Sequence, residues 1–218
     1  MNLQNRLVST VAFPLRSGAR CRSSPRKCHE KTALLLLAAS LAWTGQASDD
    51  EHAIDARTSV ITVRVYKAGL FSALGHDHEI VAPIGSGTVN TAARKVELHI
   101  NANSLRVRDT EASEKDRNEI QKTMLSPEVL DVEHYPEILF RSTRAEPTGT
   151  DSWRVHGNLT LRGQTRPVIV EVRNKGGHYT GASRFKQTTF GIKPIKVAGG
   201  TVRVKDEIRI EFDIQLPR

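Results

Sequence analysis

Residues Ile61-Thr62-Val63-Arg64-Val65-Tyr66 alternate between apolar and polar side chains. Because successive side chains of a β-strand point to opposite faces of a sheet, this alternation places Ile61, Val63 and Val65 on one inward face. The polar residues between them then face solvent. The segment therefore predicts a strand that is buried on one side.

The same alternation recurs in six later segments, and most of them are bounded by turn residues. The turns include Pro147-Thr148-Gly149-Thr150-Asp151 and Lys175-Gly176-Gly177, in which glycine supplies positive φ and proline fixes φ. Short turns between neighbouring strands indicate antiparallel pairing. The six segments are Val96–Ile100, Ile138–Phe140, Val155–Leu161, Val168–Val172, Ser183–Gln187 and Ile208–Ile214.

One segment has helical spacing instead. Between Glu111 and Leu125, the apolar residues Ile120, Met124 and Leu125 lie on one face, and Ser126-Pro127 follows as a stop. Seven or eight strands with one helix and no βαβ rhythm predict an all-β domain, either a sandwich or an up-and-down barrel. Periodicity alone leaves both architectures open.

The N-terminal part resembles a secretion signal. Thr32–Trp43 is an apolar run of 12 residues preceded by basic residues and followed by Gly45-Gln46-Ala47. A transmembrane anchor is the alternative, but it needs about 20 apolar residues. We therefore expect cleavage near Ala47, removal of residues 1–47, and a periplasmic or secreted domain comprising residues 48–218.

Removal of this leader changes the charge balance. The full chain has a net charge of +8, but the leader holds seven Lys and Arg and one acidic residue, which leaves 25 basic and 23 acidic side chains. A nearly neutral domain has no electrostatic footprint for nucleic acid. Cys21 and Cys28 also lie in the leader, so we expect a mature domain without disulfides.

Two motifs carry a resemblance to a known family. Residues 125–140 read LSPEVLDVEHYPEILF and residues 159–168 read LTLRGQTRPV, with Phe190-Gly191-Ile192 and Asp206-Glu207-Ile208 following in order. Together they resemble the YceI-like family of polyisoprenoid-binding, lipocalin-like periplasmic proteins over roughly residues 53 to 216. The resemblance implies an extended eight-stranded antiparallel barrel with one helix inserted between strands and a tunnel for a long prenyl chain.

The inward faces of the predicted strands then become candidates for the tunnel lining. An eight-stranded barrel either fills its interior with side chains or holds one slender ligand, and an apolar lining selects an apolar chain. The alternative for each residue is an ordinary core position. The candidates are Val63, Val65, Leu98, Ile100, Ile138, Phe140, Leu159, Val170, Phe185, Ile210 and Phe212.

A departure from the family pattern occurs at Gly75-His76-Asp77-His78. In an extended segment, His76 and His78 would leave the same face and could bind one divalent metal at the barrel mouth, with Asp77 pointing away. The remaining histidines are scattered, so their spacing in the sequence does not identify a third metal ligand. The alternative is that both rings hydrogen-bond to loop backbone or acidic groups.

The motifs of common enzyme classes are absent from residues 48–218, including G-x-S-x-G, C-x-x-C and H-E-x-x-H. We therefore expect a binding protein that stores or transports a polyisoprenoid or similar lipid, with no enzyme activity, no cofactor, no nucleic-acid partner and no stable membrane insertion. A structural or stress-related domain with a filled interior is a further alternative. The sequence leaves open whether two copies form a homodimer.

Overall fold

The computed structural model describes residues 50–68, 77–197 and 202–217. The predicted leader and His76 lie outside the described residues. Within the described part of the chain, no helix is both long enough and apolar enough to cross a membrane.

Twelve strands and one α-helix form within these ranges. Seven strands have seven residues or more: β2 (Val60–Ala68), β5 (Lys95–Asn101), β7 (Glu137–Gly149), β8 (Ser152–Leu161), β9 (Gln164–Lys175), β10 (His178–Lys186) and β12 (Val202–Gln215). Five are short: β1 (Glu51–Ala53), β3 (His78–Val81), β4 (Ser86–Asn90), β6 (Arg106–Val107) and β11 (Lys196–Val197).

The strands form a single antiparallel sheet in the order β1-β4-β5-β7-β8-β9-β10-β12-β2-β3-β6, and β11 pairs with β12. The all-β prediction with one helix is confirmed, and the seven alternating segments lie in the long strands, except that Gln187 follows the end of β10 and begins a 3-10 helix. The count of eight strands is not confirmed. The five additional strands have two to five residues, too few for a period of two to be recognised in the sequence.

β3 and β4 follow each other in the chain but lie near opposite ends of the sheet order. The short linker between them therefore brings the two ends of the sheet together, so the sheet curls. In the linker 82–85, the Ala82 N–H donates to Ile61 O and the Gly85 N–H donates to His99 O, both at 2.9 Å. The first bond extends the pairing with β2 and the second extends the pairing with β5. Pro83 lies between them and has no N–H to donate, so it interrupts the ladder at the bend.

The helix α1 (Glu114–Leu125) begins three residues later than the pattern predicted. The Ser113 side chain accepts a hydrogen bond from the backbone N–H of Asp116, which makes Ser113 the N-cap and sets the start. The helix ends at Leu125, as predicted, and Ser126 follows as its C-cap. On its inner side, Gln121 bonds to the edge of the sheet at β6, where Oε1 accepts from Val107 N and Nε2 donates to Leu105 O, both at 2.9 Å.

The turn between β8 and β9 forms hydrogen bonds with the loop after α1 and with the segment after β10. Arg162 occupies a left-handed conformation with a φ of 49°. Its guanidinium donates to the carbonyl oxygen of Gly191 at 2.9 Å and to that of Pro127 at 2.6 Å. Beneath this tie, Phe190 is fully buried and packs edge-on against Phe185. These contacts place the helix and its following loop across one end of the curled sheet.

Candidate functional site

The curled sheet encloses a cavity of about 520 Å³. Its walls are formed by the inner faces of β2, β5, β7 to β10 and β12, together with residues from α1 and the loop after it. The volume falls in the range of about 300–1,000 Å³ that is usual for small-molecule sites. The lining is almost entirely aliphatic and aromatic, so the cavity is suited to an apolar ligand.

All eleven residues that the alternation nominated line this cavity. Their convergence follows from the period of two, because every second residue of a strand faces the same side of the sheet. Their contact with a ligand stays a prediction. They are Val63, Val65, Leu98, Ile100, Ile138, Phe140, Leu159, Val170, Phe185, Ile210 and Phe212.

Two glycines shape the wall. Gly157 and Gly181 lie on the inner face of β8 and β10. A Cβ atom at Gly157 would collide with the ring of Phe140, and one at Gly181 would collide with the backbone oxygen of Glu171 and with the ring of Phe212. The missing side chains therefore give these rings room to lie back against the sheet. This close approach keeps two of the largest lining side chains out of the middle of the cavity.

Further lining residues were not nominated from the sequence. Some share the alternation and could have been found from it: Ile61, Val96, Val155, Val168, Val172, Ile208 and Ile214. Others come from the short strands, from α1 or from loops, where no period of two exists: Ile80, Ala82, Val89, Leu105, Met124, Val129, Leu130 and Ile192. The second group is brought to the cavity only by the tertiary fold.

The two ends of the cavity differ in character. At the helix end, Leu105, Met124, Leu130 and Ile192 are all buried. At the opposite end, the turn between β4 and β5 contributes polar lining residues that are half-buried or exposed, with Arg94 among them. The cavity therefore runs from an apolar closed end among the described residues to a polar mouth.

Polar side chains inside the cavity use their donor groups on the protein itself. Ser183 Oγ donates to the carbonyl oxygen of Ile169 at 2.7 Å, and Gln187 Nε2 donates to that of Lys205 at 2.8 Å. Both residues are buried. Satisfied donors of this kind give a ligand little to bond with, so the inner part of the cavity acts as an apolar surface.

The predicted metal ligand His78 lies at the start of β3, away from the cavity lining. Its Nδ1 atom is 2.6 Å from Oδ2 of Asp109, whose side chain is 1% exposed. Only Nε2 is left for a metal, and His76 lies outside the described residues. Within residues 50–68, 77–197 and 202–217, no group of three or more His, Cys, Asp or Glu side chains is placed to hold a metal ion. Metal binding by these histidines stays a prediction.

A charged cluster lies on the outer face of β5 and β7. His99 bonds to Glu137 through Nδ1 at 2.8 Å and to Glu97 through Nε2 at 2.7 Å. The hydrogen bonds to Glu137 and Glu97 raise the pKa of His99. Hydrogen bonds from Arg141 and then His99 lower the pKa of Glu97 to about 2. Because these residues alternate with the lining residues of β5, the cluster faces away from the cavity. Its ion pairs stabilise the sheet.

Comparison with known proteins agrees with this geometry. The family model described as the YceI-like domain matches residues 52–216. A UPF0312 protein of Pseudomonas aeruginosa is 30% identical over 173 residues, which cover 74% of this chain and 86% of that protein. A UPF0312 protein of Pectobacterium atrosepticum is 31% identical over 180 residues, with 81% and 85% covered.

Two further proteins extend the comparison. Protein YceI of Salmonella arizonae is 32% identical over 142 residues, which cover 64% of this chain and 70% of that protein. The crystal structure of BcnA from Burkholderia cenocepacia matches with a TM-score of 0.51 and 19% identity, covering 74% of this chain and 98% of that one. At that identity the structural match supports the fold alone.

Proposed function

This chain belongs to the YceI-like family, and on that premise we propose that it is a non-catalytic carrier that holds a polyisoprenoid or similar long apolar lipid for storage or transport. The observation that carries the proposal is the apolar cavity of about 520 Å³ inside the curled sheet. Membership of a family of barrel-fold binding proteins supports the proposal that a ligand is held in this cavity.

The lining supplies the binding energy in this proposal. Transfer of a hydrocarbon chain from water into an apolar site contributes about 0.8 kcal/mol for each buried methylene group. A hydrocarbon chain held in the cavity needs no specific polar contact for tight binding. Selectivity would then depend on the length and width of the cavity, and so on rings such as Phe140 and Phe212.

Export of the protein is part of the same proposal. The apolar run Thr32–Trp43 and the small residues before the expected cut at Ala47 support it. Expression of the full chain followed by cell fractionation and intact-mass measurement tests it. We expect a periplasmic or secreted product that begins at Ser48. A full-length product retained in the cytoplasm would contradict export but would leave lipid binding unaffected.

Lipid binding is tested first on the purified protein as it comes from the host. Organic extraction followed by mass spectrometry should recover a chain lipid. Trp43 lies in the leader that we expect to be removed, so Trp153 is the one tryptophan of residues 48–218, and it lines the cavity. The fluorescence of Trp153 in the processed protein should therefore change when geranylgeraniol is added.

A matched pair of variants on β9 separates the cavity from the outer surface. Val170 faces the cavity, whereas its neighbour Ile169 is 50% exposed. We expect Val170→Phe to fill part of the cavity and weaken geranylgeraniol binding by about tenfold or more, with Ile169→Phe unchanged. Empty extracts, together with no response of Trp153 and no change in melting temperature on adding prenyl lipids, would overturn the carrier proposal.

A further inference from the structure

Positive charge is unevenly distributed along the chain. Residues 172–205 contain eight Lys and Arg and no Asp or Glu. The expected mature domain 48–218 holds 25 basic and 23 acidic side chains, so all 23 acidic residues lie outside this segment. A stretch of this length with charges of one sign produces a local positive field on a protein that is nearly neutral as a whole.

Six of these eight cations lie at the helix end of the curled sheet. β10 ends there, because the segment after it accepts a hydrogen bond from Arg162, which also donates to the loop after α1. Lys196 and Arg203 are paired across β11 and β12. Gln187 Nε2 donates to the carbonyl oxygen of Lys205 at 2.8 Å, which joins the end of β10 to the start of β12. These contacts gather the cations into one surface, the basic patch, which consists of Arg184, Lys186, Lys193, Lys196, Arg203 and Lys205.

The carboxylates that border the basic patch do not pair with it. All six side chains are exposed, and none forms an ion pair with a carboxylate within residues 50–68, 77–197 and 202–217. Asp206 is bonded to Thr188 instead, and accepts from its N–H at 2.9 Å and from its hydroxyl at 2.8 Å. Glu207 lies opposite Lys186 in the strand ladder without an ion pair between them. The patch therefore keeps its positive charge for a partner outside the chain.

Apolar side chains lie among these cations. Residues 192–196 read IKPIK, in which Ile192 is buried and Ile195 is half-buried between two exposed lysines. The ring of Tyr66, on the neighbouring strand β2, lies 5.7 Å from Lys205 Nζ. Tyrosine combines an apolar body with a polar tip and is enriched at membrane–water interfaces. Cations mixed with such residues suit a surface that lies against lipid head groups.

We propose that the basic patch docks the protein onto an anionic membrane surface, where the lipid phosphates are its partners. Lysine carries a point charge on a flexible stem, so it can pair with head groups that have no fixed geometry. Each cation near an anionic surface strengthens binding by about fivefold. An acidic protein is the other candidate partner, but the apolar residues among the cations favour a membrane. This inference goes beyond the proposed function, because it concerns the outer surface and needs no ligand in the cavity.

Vesicle co-sedimentation of the processed protein tests the docking. Vesicles of phosphatidylglycerol and phosphatidylcholine are compared with pure phosphatidylcholine, at low and high salt. One variant combines Lys186→Gln with Lys196→Gln in the basic patch. The control combines Arg173→Gln with Lys175→Gln, which removes the same charge at the opposite end of the sheet, and melting curves confirm that both fold. We expect salt-sensitive binding of the parent to the anionic vesicles alone, weakened about 30-fold in the patch variant and little changed in the control.

The absence of cysteine from residues 48–218 allows the orientation to be measured. Thr189→Cys, beside the basic patch, and Thr150→Cys, in the turn between β7 and β8 at the opposite end, each give one exposed site for an environment-sensitive dye. The dye at position 189 should change its emission on anionic vesicles, and the dye at position 150 should not. The polar mouth of the cavity then remains open to the aqueous phase.

Equal weakening in the two double variants, equal binding to neutral vesicles, or a response of the dye at position 150 alone would overturn docking by the basic patch. Tighter binding to soluble polyglutamate than to anionic vesicles would overturn it in favour of an acidic protein partner. None of these assays uses a ligand of the cavity. Failure of docking would therefore leave the carrier proposal intact, and empty lipid extracts would leave the docking result intact.

Discussion

The Nδ1 atom of His78 lies 2.6 Å from the Oδ2 atom of Asp109, and the two residues are 31 positions apart in the sequence. The second carboxylate oxygen of Asp109 accepts a hydrogen bond from the Glu79 N–H at 2.7 Å. One buried carboxylate therefore joins the start of β3 to the segment that leads into α1. A buried acceptor with two donors is costly to remove, because both donors are left without a partner.

Asp109→Ala should lower the free energy of unfolding by about 2 to 3 kcal/mol, since it leaves the Glu79 N–H and the His78 ring unpaired. Asp109→Asn should cost less, because its amide oxygen can still accept from the Glu79 N–H. Urea denaturation of the two variants measures the difference. Equal losses would show that the hydrogen bond to Glu79 contributes little.

Gly157→Ala should destabilise the fold by about 1 to 3 kcal/mol, because the new Cβ overlaps the ring of Phe140. The ring would be driven toward the cavity and reduce the space for a ligand. Phe140→Leu in the same chain should restore part of the stability, with Phe140→Leu alone as the control. Thermal melting of the three variants checks this, and absence of any rescue would assign the cost to the backbone contact with Arg141.

Gln121→Ala should expose the edge of the sheet at β6. The substitution removes the bonds to Val107 N and Leu105 O, with an expected loss of about 1 to 3 kcal/mol. Unpaired edge strands promote self-association, so light scattering should detect larger species than in the parent protein. Asn118→Ala, at an exposed position of the same helix, should leave both the stability and the oligomeric state of the parent unchanged. Matching behaviour of the two variants would contradict this role of Gln121.

His99→Gln should destabilise the protein more at about pH 5.5 than at about pH 9. The pKa of His99 is raised in the folded state by Glu137 and Glu97. Its contribution is therefore fully present below the unfolded pKa of about 6.5 and is lost as the pH rises through the higher folded value. Glu97, whose pKa is lowered, contributes above its unfolded pKa and loses that contribution as the pH falls toward about 2.

Urea midpoints of His99→Gln across this pH range provide the measurement. His52→Gln is the control, since His52 is exposed on β1 and forms no ion pair within the described residues. A difference between parent and His99→Gln that stays constant from about pH 5.5 to pH 9 would show that the ring is not held as a cation by the two carboxylates.

The long strands and most of the cavity wall were predictable from the sequence. Alternation such as that of Ile61, Val63 and Val65 depends on local geometry, because a strand turns each successive side chain to the opposite face. The one helix was predictable for a similar reason, although its start at Glu114 depends on the capping contact of Ser113. Family motifs added the barrel-like curl, but the number of strands did not follow from either source.

Other features depended on contacts between distant parts of the chain. Three examples are the position of Met124 in the cavity, the bond from Gln121 to β6 and the pairing of His78 with Asp109. Each depends on two segments that are distant in the sequence, and the spacing of apolar residues within one segment does not predict such contacts. The polar mouth at Arg94 is also of this kind, since only the curl of the sheet brings that turn to the end of the cavity. The sequence by itself determined which face of each strand is apolar, since that is a local property. Only the tertiary structure decided how those faces enclose a cavity and where it opens, because closure depends on pairing between strands far apart in the chain.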